Sequence, residues 1–282
     1  MKELRIAAQL YSVREYCQTE QDVYRTFGRI REMGFDGVEI EGLRDVLPAE
    51  KAAACLRSLG LAVCATRARQ GEAEACPQLL VQEALCYGAE ECGIGTIKSL
   101  YLCSDATVAQ YDALIAPAAE QIRRAGLVPA YAVLHHDFMP CRDILTLAQG
   151  RQDAPGQAWQ SYHFTHMLNH YAPGEMNLTL DTLWLVQAGV HVPDVIRQAA
   201  GRSRVIRFRD WKIEIGPRSL NHPSRTPCEV GGGLLDFASY LPAIRDAGIR
   251  WITVGQELAA RDPFECLQLG LAHVRSLLET SG

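Results

Sequence analysis

The segments Leu180-Asp181-Thr182-Leu183-Trp184, Gly189-Val190 and Val205-Ile206-Arg207-Phe208-Arg209-Asp210 decide the fold. An apolar strand, Asn177–Asp181, ends in a carboxylate, and about 25 residues later a second strand ends in charged side chains. Between them lies one short helical stretch closed by a glycine, the spacing of a strand, a crossover helix and a parallel strand. In a closed parallel barrel the carboxyl ends of the strands face one mouth, and chemistry is assembled there.

Reading outward, the same unit recurs along the chain. Strands are expected at Arg5–Leu10, Gly37–Glu41, Leu61–Arg67, Thr96–Leu100, Val128–Leu134, Asn177–Asp181, Arg204–Arg209 and Arg250–Gln256. Thr19 can cap a helix with Asp22 three residues on; Val23, Phe27 and Ile30 share its apolar face, and Gly34 ends it. Further helices are expected from Pro48 to Leu59, from Pro77 to about Cys92, and up to Ala125-Gly126. Asp262 followed by Pro263 opens the last one. Eight strands alternating with helices predict one domain over residues 1–282, a single (β/α)8 TIM barrel. The longest insertion lies between Met139 and Pro173, with Gln157–Tyr171 helical.

A length of 282 residues suits such a barrel, which takes about 250. With 48% hydrophobic and 22% charged residues, the chain can bury a substantial core. A net charge of −5, with no basic tract, argues against a nucleic-acid or membrane-surface partner. The ten cysteines form no CxxC pair, and many lie among Ala, Leu and Val, where they act as small apolar residues. No signal-peptide pattern and no apolar run of membrane-span length is present, so a cytoplasmic location is expected.

The strand ends carry the candidate site. They collect Gln9 and Tyr11, Glu39 and Glu41, Thr66 and Arg67, Lys98, His135, His136 and Asp137. The later strands add Asp181, Arg207, Arg209, Asp210, Gln256 and Glu257. Any one of these could be a solvated loop residue; their recurrence at nearly every strand end marks the mouth.

Taken in order, several segments resemble the xylose-isomerase-like sugar phosphate isomerase/epimerase family. They are Gln9-Leu10-Tyr11-Ser12-Val13-Arg14, Gly34-Phe35-Asp36-Gly37-Val38-Glu39, His136-Asp137-Phe138, Leu180-Asp181-Thr182-Leu183-Trp184, Glu229-Val230-Gly231-Gly232-Gly233 with Asp236-Phe237, and Asp262-Pro263. The resemblance implies a barrel holding Mn²⁺, Zn²⁺ or a similar ion on two carboxylates, an Asp and a His. Such an ion polarises a carbonyl while a carboxylate moves a proton.

Asp181 matches the family Asp, but Arg207 stands where the His is expected and Gly255 where a ligand Glu is expected. Leu134 and His135 replace the usual His and Asn. Arginine stays protonated and cannot ligate a metal. A rebuilt metal site would use Asp181, Glu257 and a histidine, His136 or its neighbour His135. Alternatively, Arg67, Lys98, Arg207, Arg209 and Lys212 form a cationic pocket for a carboxylate, a phosphate or an enolate-like intermediate. A third reading has these arginines in buried structural pairs with Glu39, Glu41, Asp181 and Asp210.

The expected function is a sugar, polyol or keto-acid isomerase or epimerase, with dehydration second, working with or without a metal. Glu39, His136, Asp181 and Glu257 are the candidate catalytic groups. Gln9, Tyr11, Arg67, Lys98, Trp184, Arg207, Arg209 and Lys212 are the candidate binders of a small sugar or anionic substrate. The alternatives are a non-catalytic barrel serving as a ligand-binding or subunit module, and a metal-free lyase or aldolase forming a Schiff base on Lys98. Apolar positions on Leu267–Leu278 leave a homodimer open. His163, His166 and His170 share a helix face that could take a metal, and Gly231-Gly232-Gly233 reads as a flexible lip of the mouth.

Overall fold

A computed structural model describes residues 3–69, 71–98, 101–102, 104–139, 163–214, 224–258 and 261–280. Eight parallel strands close into a barrel: β1 (Arg5–Gln9), β2 (Gly37–Glu41), β3 (Ala62–Arg67), β4 (Glu91–Gly95), β5 (Pro129–Ala132), β6 (Asn177–Asp181), β7 (Val205–Phe208) and β10 (Trp251–Val254). β10 closes the ring between β7 and β1. The helices are α1 (Glu20–Met33), α2 (Ala49–Ser58), α3 (Glu72–Ala75), α4 (Pro77–Tyr87), α5 (Asp105–Arg124), α6 (His163–His170), α7 (Thr182–Gln187), α8 (Val192–Gln198), α9 (Phe237–Asp246) and α10 (Pro263–Thr280). The expected (β/α)8 TIM barrel is therefore the observed fold. No helix among the described residues is long and apolar enough to cross a membrane.

The local signals act as their chemistry requires. Thr19 Oγ1 accepts the Asp22 N–H at the start of α1, and Gly34 ends that helix at φ 98°. Asp262 Oδ1 accepts the N–H groups of Phe264 and Glu265 at the start of α10. Val23, Phe27 and Ile30 are fully buried between α1 and the barrel wall.

Two boundaries differ from the sequence reading. The fourth strand is Glu91–Gly95, not Thr96–Leu100, and the helix before it stops at Tyr87. Gly88 takes the left-handed conformation, φ 65°, and caps α4 there, so the chain turns into the barrel one helical turn earlier than its apolar run suggested. The helix expected over Gln157–Tyr171 is observed as His163–His170, with its expected first turn outside the described residues. The antiparallel hairpin β8 (Asp210–Glu214) and β9 (Ser224–Cys228), which follows β7, was not anticipated. Its strands combine Trp211 and Ile213 with charged residues in a pattern that a loop shares.

The large core lies between the strands and the outer helices. Inside the barrel a smaller cluster of Ala7, Cys64, Ala65, Val205 and Trp251 fills the floor. Glu91 lies on the same interior, fully buried, where its Oε1 accepts from Asn177 Nδ2 at 2.6 Å and from the Arg204 N–H at 3.2 Å. Burial, only partly offset by those bonds, pushes its carboxyl up to about 7.

The sign of the resulting pH dependence follows directly. The folded state holds this proton more tightly than the unfolded chain, whose glutamates titrate near about 4.3. The stability due to the neutral form is complete below that value and is lost as pH rises through about 7. Glu91→Gln is expected to be more stable than the parent by about 1–3 kcal/mol at about pH 8, with the difference vanishing near about pH 4. Urea unfolding at both pH values measures this, and a pH-independent difference would contradict it.

Candidate active site at the barrel mouth

Strand register brings the sequence candidates together. Asp181 of β6 lies beside Arg207 of β7, Gln9 beside Glu39, and Glu41 beside Arg67. Paired residues on neighbouring strands send their side chains to the same face, here the barrel interior. Beyond β7, Thr182 and Arg209 lock two strand ends together. The Thr182 hydroxyl donates to the Arg209 carbonyl at 2.9 Å and accepts the Arg209 N–H at 3.0 Å.

The result is a mesh of guanidinium–carboxylate pairs. Arg207 Nε lies 2.8 and 2.9 Å from the two Glu39 oxygens, and its terminal nitrogen also donates to Glu39 Oε1. Both side chains are buried. Arg209 spans two acids, reaching Asp181 Oδ2 at 2.6 Å and Glu257 Oε1 at 2.6 Å. Arg67 reaches Glu41 at 3.2 Å and approaches Glu39 at 3.9 Å. Burial opposes the charge on Glu39, but the Arg207 guanidinium outweighs it and holds the carboxyl below its ordinary range. Burial likewise opposes the charge on Arg209, and Asp181 then Glu257 overcome it.

Around this floor stands a more accessible rim. Trp184 lies between Arg209, whose guanidinium is 5.1 Å from the indole centroid, and His135, whose ring is 5.1 Å away. His135 and His136 are half-buried neighbours, 5.4 Å apart. Their Nδ1 and Nε2 atoms respectively are buried without a hydrogen-bond partner. Burial, then the neighbouring His136, lowers the His135 imidazole below its ordinary value, which favours the neutral ring. Tyr11 lies under Arg14, whose guanidinium is 4.2 Å from the phenol ring. Lys98 is half-buried in the segment after β4. Lys212 stands apart from the mesh on the β8 hairpin, 3.0 Å from Glu214.

Asp210 has a structural task. Its Oδ1 accepts the N–H groups of Trp211, Leu234 and Leu235, and its Oδ2 those of Gly231 and Gly233. The triple glycine thus wraps a buried carboxylate and does not form the free lip expected of it. Asp137 plays a similar part at β5. It accepts from Tyr131 Oη at 2.7 Å and from the Leu134 N–H at 2.7 Å, and it meets His163 Nδ1 at 2.8 Å. Tyr131, Asp112 and Glu91 carried no sequence signal, because each lies inside an ordinary strand or helix pattern. His163 had one in the histidine spacing of its helix.

The donor set at the mouth does not fit a divalent metal. Glu39 and Asp181 already hold guanidiniums, and Arg207 fills the position where a histidine ligand would be expected. A side chain cannot be added at 255, since a Cβ there would collide with the carboxamide of Gln9. A cation beside Arg207 and Arg209 would meet fixed positive charge. Elsewhere, Asp112, His166 and His170 form a cluster that could coordinate a divalent metal.

Removing one member of the Glu39–Arg207 pair strands a buried charge. Arg207→Met is expected to cost about 3–5 kcal/mol, and Glu39→Gln combined with Arg207→Met to recover most of it. The folded carboxyl of Glu39 lies below its unfolded value. Its contribution is therefore present above about pH 4.3 and lost as pH falls through the lower folded value. The double variant should show a shallower acid limb in chemical unfolding; additive losses would contradict the pairing.

The sequence matches no family model and no curated protein. Solved structures do match it. A sugar phosphate isomerase/epimerase from Parabacteroides distasonis superposes with a TM-score of 0.73 at 15% identity, covering 96% of this chain and 94% of that one. An L-ribulose 3-epimerase gives a TM-score of 0.68 at 17% identity over 98% of this chain and 95% of that one. The IOLI protein, solved with a zinc atom, gives 0.67 at 11% identity over 98% and 99%. At such identities the likeness is one of fold: the chain is built on the same barrel as these three structures.

Proposed function

We propose that this barrel is an isomerase or epimerase of a small sugar or related hydroxy-carbonyl compound, and that its mouth works without a metal. The observation that carries the reading is the placement of Arg209. It bridges Asp181 and Glu257 and lies 5.1 Å from Trp184, the same ring that packs against His135 of a histidine pair with unpartnered ring nitrogens.

The chemistry needs a base for a C–H proton next to a carbonyl, and a positive group for the oxyanion that forms. His135, whose ring burial keeps toward the neutral form, or its neighbour His136 takes the proton from carbon, and the electron pair moves onto the carbonyl oxygen as an enediolate. A guanidinium that is already desolvated stabilises that oxygen without reorganising. Return of the proton to the neighbouring carbon, while the hydroxyl on that carbon gives its proton to the former carbonyl oxygen, isomerises the substrate. With the first proton kept on the histidine, delivery of another from a protonated second group such as Glu257 to the opposite face of the same carbon epimerises it. The Trp184 ring offers an apolar platform for the C–H face of a sugar, and Arg67, a quarter exposed, can meet a phosphate or carboxylate at the rim. Lys98 is left to the rival lyase chemistry.

One observation favours a second reading, a barrel that binds a ligand or a partner without turning it over. Gln9, Glu39, Asp181, Arg207, Arg209 and Gln256 are each 4% exposed or less, so on this second reading the arginines are spent on internal pairs and a ligand rests on the rim alone.

Exchange of carbon-bound protons for deuterium separates the two. Sugars, sugar phosphates and keto acids are incubated with the protein in deuterated buffer and followed by proton NMR. The isomerase reading predicts exchange at a carbon next to a carbonyl that survives chelator and falls at least about 100-fold in His136→Gln. Exchange abolished by chelator and restored by manganese would overturn metal independence. A compound that raises the melting temperature but never exchanges would support the binding module instead.

A further inference from the structure

The geometry points to a zinc-class metal site outside the barrel mouth, formed by Asp112, His166 and His170. His166 and His170 are four residues apart on α6, so their imidazoles project from one helical face about 5–6 Å apart at Cβ. The rings are stacked with centroids 5.0 Å apart and planes 19° from parallel. Asp112 approaches from α5, with Oδ2 at 2.6 Å from His166 Nε2. One ligand atom from each of the three residues lies within 4.8 Å of the others.

Tetrahedral zinc, bonded at about 2.0–2.1 Å, needs its ligands about 3.4 Å apart. The 2.6 Å Asp112–His166 pair must open and the remaining spacings, at most 4.8 Å, must close toward that value, a small movement that His170 can share from its exposed place on the helix. Two imidazoles and one carboxylate are the donors that zinc, nickel and copper favour, and a fourth position would remain for water.

Two further features suit a ligand site. The Tyr171 hydroxyl donates to the other Asp112 oxygen at 3.1 Å, which fixes the carboxylate and turns Oδ2 toward the histidines. Asp112 is 6% exposed, so its charge is held in a weakly solvated place where a cation gains more than it would at an open surface.

Such an ion clamps α6 onto α5. The first residue of α6, His163, meets Asp137, and Asp137 lies in the turn that carries His135 and His136. Metal at the outer site therefore stiffens the brace behind the mouth. This inference does not depend on the reaction proposed above.

The test uses tag-free full-length protein stripped with chelator, then titrated with zinc chloride by calorimetry and with cobalt chloride by visible absorption. One equivalent of zinc should bind and raise the melting temperature, and cobalt should give the intense bands of a tetrahedral site. His170→Ala should keep the apo melting temperature, because its ring is exposed, while zinc affinity falls at least about tenfold. Asp112→Asn should weaken zinc in the same way and serves as the second variant. Zinc affinity and stoichiometry unchanged in both variants, or no zinc bound by the parent, would overturn the site.

Discussion

A buried charge must be answered within a few ångströms, and at the mouth of this barrel the answer is arginine. Glu39 and Asp181 are placed by strand register where water barely reaches them. An isolated carboxylate there would take up a proton or unfold its surroundings. Arg207 within β7 and Arg209 just beyond it, two residues apart, face the same interior and supply the counter-charge. Around this pairing the other choices fall into place: a glycine at 255 that leaves room for Gln9, a threonine that locks the Arg209 backbone, and an accessible rim of histidine and tryptophan.

This arrangement also sets what the mouth can do. Guanidiniums offer directed N–H donors and a permanent charge, but no open coordination sphere. They can hold an oxyanion and they cannot carry a metal-bound water. The interior acids Glu39 and Glu91 are shifted in opposite directions by their surroundings, one held ionised by arginine and the other pushed toward neutrality by burial. The same barrel interior thus contains a fixed anion and a titrating one.

Much of the frame could be read from the chain. The recurrence of short apolar strands and amphipathic helices gave the barrel, because its periodicity is set by which face meets the core. The charged strand ends located the mouth, and Arg207, standing where the resemblance led one to expect a histidine, marked the position at which arginine meets the buried acids. That the arginines meet Glu39, Glu41 and Asp181 in buried pairs was one of the readings the strand ends allowed, and it is what is observed. Which arginine meets which acid was not legible, since Glu39 and Arg207 are 168 residues apart and only the closed ring makes them neighbours. The fourth strand was misplaced because Thr96-Ile97-Lys98 looks as strand-like as Glu91–Gly95, and the choice turns on where Gly88 ends a helix. Asp112 could not be found from sequence at all: its histidine partner lies 54 residues away on another helix.

The central claim is that guanidiniums fill the place of a cation in the mouth. The most direct measurement is anomalous diffraction from crystals soaked separately in manganese and zinc. The account predicts ordered Arg207 and Arg209 side chains on Glu39 and Asp181, with no anomalous peak within about 3 Å of either carboxylate. A peak bonded to Asp181, with the Arg209 guanidinium swung away from it, would contradict it.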